Sequence, residues 1–324
     1  MKNTKAALTA LLALSVSTAA WPQEDAKSYP GRAVRIVVPF PPGGSNDILG
    51  RLLAPRLAEL YSQPFVIDNR AGQDGIIGSA FVSKSAPDGY TLLLASLSFT
   101  TNAQIHKVPY DPIKSFAPVA QIGSGTQLLT ATSSLPVNSI KELVDYARAN
   151  PGKLRYALSG LGSPGHFTGA MLNSYSRIDI GFVPYKGGGP AQNDTIAGRV
   201  ELLWTTLTSS IGHVKAGKLK GLGITSPKRA ALMPDIPAIS EVIPGFEGDF
   251  FWGYLVPAGT PRPIVMKLNG TINDVLRQPE MVKRLNDATA EPVYATPEQF
   301  GKVIADNLAK WGKVAREYKI SVDD

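Results

Sequence analysis

Residues 38–48 read VPFPPGGSNDI. They close the apolar run AVRIVV and lead into ILGRLLAPRLAEL, whose apolar residues recur at helical spacing. The order is strand, glycine turn, helix. Gly43 and Gly44 stand where the chain reverses, and Ser45, Asn46 and Asp47 follow, all residue types that favour a helix N-cap. Such a corner points backbone N–H groups out of the first helical turn and favours an anion there.

The same order recurs downstream. FVIDNR, YTLLLAS, LRYALSG, IDIGFVPY and ELLWTTL read as strands, with helical runs between most of them. Strands alternating with helices imply parallel pairing through right-handed crossovers. Ser139 and Glu142 form a capping box that starts KELVDYARAN. ValProPhe at 38–40 leads to two glycines, and ValProTyr at 183–185 leads to three, the tripeptides starting 145 residues apart. We read two similar units, each with a glycine turn at the carboxyl end of a strand. PVAQIGSGTQLLTATSS and GFEGDFFWGYLV carry no helical signal and read as the crossings between the units. The expected fold class is α/β, with two doubly wound α/β domains and an interdomain cleft. Residues 27–124 with 253–324 form the first domain and 125–252 the second. Ligands of open α/β sheets sit at the carboxyl ends of the strands.

Composition narrows the setting. With 44% apolar residues the 324-residue chain can bury a full core. Lys2 and Lys5 precede AALTALLALSVSTAA, which reads as a secretory signal over residues 1–20, too short for a membrane span. There is no cysteine, so disulfides, thiol catalysis and a lipid anchor at a cleavage-site cysteine are excluded, and a bacterial periplasm suits the chain. Loss of Lys2 and Lys5 with the signal lowers the net charge from +7 to +5. The basic residues are dispersed, without the clustering that a nucleic-acid groove needs.

Catalytic motifs are missing from the sequence. No G-x-S-x-G elbow occurs, and no acidic pair suggests glycoside hydrolysis. Gly160, Gly162 and Gly165 spell G-x-G-x-x-G with Asp179 19 residues after Gly160. That acid stands at the start of its strand, whereas a ribose-binding acid belongs at the carboxyl end, so a dinucleotide is not expected. The segment reads instead as a helix start, with Ser159, Ser163 and His166 as donors near the cleft. His106, His166 and His213 lack metal-ligand spacing, and neither a metal nor another cofactor is expected. Phe40, Phe167, Tyr185, Trp204, Phe251 and Trp252 lie near the turns or the return crossing as possible aromatic walls.

Six stretches carry a family resemblance: VPFPPGGSND, DNRAGQDGIIGSAFVSKSAPDGYTLLLAS, SGLGSPGHF, VPYKGGGPAQND, MPDIPAISEVIPGFE and WGYLVPAGTPRPIV. In this order, over nearly all of the chain after the signal, they resemble the substrate-binding proteins of tripartite tricarboxylate transporters, the Bug receptors. An enzyme is not expected, and with no sign of obligate oligomerisation in the sequence a monomer is. The resemblance implies a periplasmic receptor of the flytrap type. It implies delivery of a small carboxylate to a membrane permease of one large and one small subunit. It also implies that amides of the first glycine turn hold a ligand carboxylate, often with ordered waters, while the other domain holds a second group. Carried over by position, Phe40, Pro42, Gly43, Gly44, Ser45 and Asp47 match the first turn. Ser96 and Ser98 match the loop after the third strand, and Ser159, Ser163 and His166 the turn in the second domain. Tyr185, Lys186, Gly187 and Gly188 match the last glycine turn. Relatives often read Phe-Asp-Asn where this chain has Trp204, Thr205 and Thr206. Without that acid a ligand ammonium loses its partner, so a dicarboxylate is expected over an amino acid, possible rings included, as in terephthalate. An exported hydrolase on a similar scaffold and a ligand-presenting subunit of a membrane sensor are the competing readings.

Overall fold

The computed structural model describes residues 27–322; the expected signal, residues 1–20, lies outside them. The first unit runs β1 (Val34–Val38), α1 (Ser45–Tyr61), β2 (Phe65–Asn69), α2 (Ile76–Ser83), β3 (Thr91–Ser96) and α3 (Ser98–Ile105). β1 lies between two parallel partners, Ile36 pairing with Ile67 of β2 and with Leu92 of β3. Four of the five residues of VRIVV are buried, all but Arg35. Parallel strands covered on both faces read as continuous apolar runs rather than alternating ones.

β4 (Phe116–Thr132) follows and is 17 residues long, about three times an ordinary strand. Its length serves both units. After α4 (Ile140–Ala149), the second unit runs β5 (Arg155–Leu158), α5 (Pro164–Ser176), β6 (Gly181–Pro184), α6 (Gly188–Ile196), β7 (Leu202–Thr206), α7 (Leu207–Lys215) and β8 (Leu219–Ile224). β9 (Asp249–Pro257) returns to the first unit, and α8 (Arg262–Arg277), α9 (Pro279–Asp287) and α10 (Pro297–Glu317) complete it. α8 packs on β4 and α1, and α10 on β4 and α3.

The strand order is β2-β1-β3-β9-β4-β7-β5-β6, with β8 paired to β4. β4 pairs with β9 as far as Thr126 and with β7 from Gln127 onward. The chain thus changes units within one extended strand and returns on that strand's antiparallel neighbour. The result is the two-domain α/β architecture expected from the sequence, with the cleft between the domains.

The repeat is real, but the tripeptides do not mark it. In each unit three parallel strands take the order second, first, third: β2-β1-β3 and β6-β5-β7. ValProPhe closes β1, a central strand, whereas ValProTyr closes β6, an edge strand. The counterpart of β1 is β5, followed by SGLGSPG. The tripeptides share a Pro/Gly turn, and turn chemistry carries no information about a strand's place in the sheet.

Candidate ligand-binding site

The turn after β1 is built to leave amides exposed. Gly43 adopts φ +88°, a conformation that favours glycine. Its N–H donates to Asp47 Oδ2 at 3.0 Å. Arg51 Nε donates to both oxygens of Asp47, and Asn69 Nδ2 to Oδ1, each at 3.0 Å. Burial pushes the Asp47 carboxyl up, but the donors from Arg51, Gly43 and Asn69 outweigh it and hold the group below the usual carboxylate range. Asp47 therefore braces the turn as an anion. Gly44 is the N-cap of α1, and no side chain caps this helix. The hydroxyl of Ser45 accepts from Trp252 Nε1 at 3.2 Å, and the Asn46 amide donates to Leu94 O at 2.8 Å. The side chains fix the helix start, while the first-turn N–H groups have no carbonyl one turn back to bond.

Other strand ends bring further helix starts to the same place. Ser98 opens α3 directly after β3. Ser163 caps α5, accepting from His166 N–H at 3.3 Å. Thr206 caps α7, accepting from Ser209 N–H at 3.3 Å. Gly187 is the N-cap of α6, and no side chain caps that helix. A cleft lies among them. On the first-domain side it is lined by Phe40, Pro41, Gly44, Ser45, Asn46, Ser96 and Ser98. Ser159, Pro164, Gly165, Gly188, Trp204, Thr205, Thr206, Ser209, Gln127 and Phe250 complete it. None of these residues is charged. Among the described residues no group of His, Asp and Glu could hold a metal.

A family model described as the tripartite tricarboxylate transporter family receptor matches residues 49–320. The chain belongs to this receptor family. Protein BugT of Bordetella pertussis is 35% identical over 296 residues, which cover 90% of this receptor and 91% of BugT. An R. palustris protein solved with adipate is 37% identical, with a TM-score of 0.88 over 90% of this receptor and 99% of that chain. MatC from Rhodopseudomonas palustris, solved with malate, is 31% identical, with a TM-score of 0.84 over 88% of this receptor and 99% of that chain. Members of this family are solute-binding receptors rather than enzymes.

Among the residues the sequence singles out, Phe40, Gly44, Ser45, Asn46, Ser96, Ser98, Ser159, Gly188, Trp204 and Thr205 line the receptor's cleft. The rest do not. Pro42 and Gly43 are exposed on the outer side of the turn, and Asp47 is buried behind it. Lys186 is exposed. The Tyr185 hydroxyl donates to Asp194 at 2.8 Å and braces α6. Ser163 is occupied as a cap. His166 is fully buried, its ring edge-on to Phe182 with centroids 4.9 Å apart. Its Nδ1 accepts from Gly162 N–H at 3.2 Å. It shapes the turn before α5 rather than facing the cleft, because α5 is rotated to turn this residue inward.

Contacts between the domains surround the cleft. His106 Nε2 lies 2.8 Å from Leu161 O. Asp74, which the sequence reading passed over, sits at φ +49° and accepts from the Ser159 hydroxyl at 2.7 Å. Burial raises its carboxyl to about 7, against the pull of donors from Ser159, Ser98 and Asn102. Gly187, at φ +118°, lies so close to Pro41 that an added Cβ would stand 2.6 Å from the proline Cδ. Gly187→Ala is therefore expected, through this contact together with strain at the positive φ, to hold the domains apart and weaken ligand binding about tenfold, a cost near 1.4 kcal/mol. Titration calorimetry and small-angle scattering with and without ligand would check this; unchanged affinity with normal compaction would refute the contact's role.

Proposed function

We propose that this receptor works as a monomer in the periplasm, captures a small dicarboxylate and hands it to a tripartite permease of one large and one small membrane subunit. The observation that carries the reading is an uncharged cleft into which the uncapped α1 opens. A carboxylate meets amide donors there, and each charge-assisted hydrogen bond contributes about 1.5–3 kcal/mol. An ammonium would find no acid. The amides of Gly44, Ser45 and Asn46 take the first carboxylate, and residues of the second domain take the far end. We place the domain division on β4 and β9 near residues 124/125 and 252/253, within a few residues of the point where β4 passes from β9 at Thr126 to β7 at Gln127. Adipate and malate, held by two relatives, are both dicarboxylates, which supports the class. Phe40, Trp204 and Phe250 offer ring faces, so an aromatic diacid such as terephthalate belongs in the candidate set.

A thermal-shift screen tests this. The panel holds aliphatic and aromatic mono-, di- and tricarboxylates, with amino acids and neutral sugars as comparisons. A ligand at 100 times its Kd stabilises by about 2.7 kcal/mol, a rise in Tm of about 4 °C for a chain of this size. Stabilisation by amino acids or sugars beyond that of any acid would overturn the proposal.

A further inference from the structure

Resting on the receptor reading above, a second donor can be assigned on the other side of the cleft. We propose that Gln127 sets specificity: its side-chain amide donates to an oxygen at the far end of the ligand and selects diacids over monoacids of equal length.

Gln127 lies on β4 at the first residue that pairs into the second domain, opposite Thr206. It lines the cleft and is only 2% exposed. Its backbone is fully committed. The N–H donates to Thr225 Oγ1 at 3.0 Å, and the carbonyl accepts from Thr225 N–H at 3.0 Å. The side chain is not. Oε1 lies 3.5 Å from the Thr168 hydroxyl, which stands closer to Pro164 O at 3.0 Å. Nε2 is buried and has no hydrogen-bond partner among the described residues. A buried amide donor without a partner is unfavourable, and such groups in folded proteins nearly always have an explanation. A purely structural glutamine on this strand would be better replaced by an apolar residue. Gln127 lines the cleft, and a small rotation of its amide on closure brings Nε2 to a ligand oxygen there, which supplies the missing acceptor.

The chemistry of the partner follows. The donor is neutral, as the amides of α1 are, and no lysine or arginine lines the cleft to compete for the far group. A second carboxylate, with several lone pairs and full charge, satisfies Nε2 better than any other common terminal group. A methyl terminus would leave it without a partner.

The experiment measures affinities by titration calorimetry for the linear diacids from succinate to suberate and for the monoacids of the same lengths. Wild type, Gln127→Leu and Gln127→Glu are compared, each first shown to fold by circular dichroism and melting. Gln127→Leu is expected to weaken diacids at least tenfold and monoacids less than twofold. Gln127→Glu, which puts an anion where the donor stood, is expected to weaken diacids more than the leucine variant does. In wild type the Gln127 side-chain amide resonances, assigned by through-bond connectivity in isotope-labelled protein, are expected to move with diacid and not with monoacid. This last readout stands even if a variant fails to fold. Equal losses for both acid classes, no loss, or amide resonances indifferent to diacid would overturn the assignment while leaving the receptor reading intact. Wild type that binds no acid in either series, nor any acid of the thermal-shift panel, would instead overturn the receptor reading itself.

Discussion

Gly44→Val is expected to leave the unliganded receptor folded and to weaken acid binding at least a hundredfold. Gly44 has φ −80° and ψ 168°, extended backbone that valine adopts readily. A Cβ added there meets only Pro41 O, at 3.9 Å, so the backbone and the space at Cβ both accept a side chain. What it occupies is the cleft, and its two methyl groups stand over the first amides of α1. Denying a carboxylate two charge-assisted bonds costs about 3–6 kcal/mol, which is two decades of affinity or more at 1.4 kcal/mol each. Gly43→Val would not be a fair test, because φ +88° strains any β-branched residue and disturbs the turn itself. Calorimetry with the tightest acid of the thermal screen decides the matter. A folded Gly44→Val protein with wild-type affinity would remove the α1 turn from the site.

The same turn shows how far the sequence could be read. Parallel strands buried on both faces announce themselves as apolar runs, and VRIVV and TLLLAS were legible for that reason. Helices with a clear N-cap and an apolar stripe, α4 among them, were legible too. α3 and α7 were not. Their sequences, SFTTNAQI and LTSSIGHVK, are short, rich in hydroxyl residues and without a clear apolar period. Both start at strand ends facing the cleft, and Ser98 and Ser209 of these helices line it. Gln127 was missed for a related reason: it sits mid-strand, and no local pattern reveals which side chain a strand turns toward a gap made by distant segments. His166 erred in the other direction. Its position near a helix start was readable, but the rotation of α5 that buries its ring depends on packing against Phe182, an element away. Asp74 lies in GQDG, where neither Gln73 nor Asp74 is a glycine and yet both take positive φ, a conformation fixed by the tertiary setting rather than by local propensity.

Asp74→Asn is expected to flatten a dependence of stability on pH that the wild type shows between about pH 4 and 7. The Asp74 carboxyl has an ordinary value of 3.8 and is raised to about 7 in the folded protein, chiefly by burial. The folded state therefore holds this proton more tightly than the unfolded chain does. Below pH 4 both states are protonated and the full stability is present. As pH rises through 7 the unfolded chain releases the proton readily while the folded state resists, and stability falls. One pKa unit corresponds to 1.36 kcal/mol, so the loss is on the order of 4 kcal/mol, a large share of a typical folding free energy of about 5–15 kcal/mol. Asparagine keeps an oxygen for the Ser159 hydroxyl and carries no proton to lose. Urea unfolding at pH 5, 6, 7 and 8 should show the variant gaining on wild type as pH rises, with the largest advantage at pH 8. Glu241, held down to about 2 chiefly by Arg229, acts with the opposite sign and mainly below pH 4.5, so it leaves this window clear. Ser159 and Gly160 cover Asp74 from the second domain, which ties the same carboxyl to closure. Wild-type affinity for the acid should then decline between pH 6 and 8 while that of Asp74→Asn holds steady. Parallel pH profiles for the two proteins, in both stability and affinity, would show that Asp74 is not the titrating group.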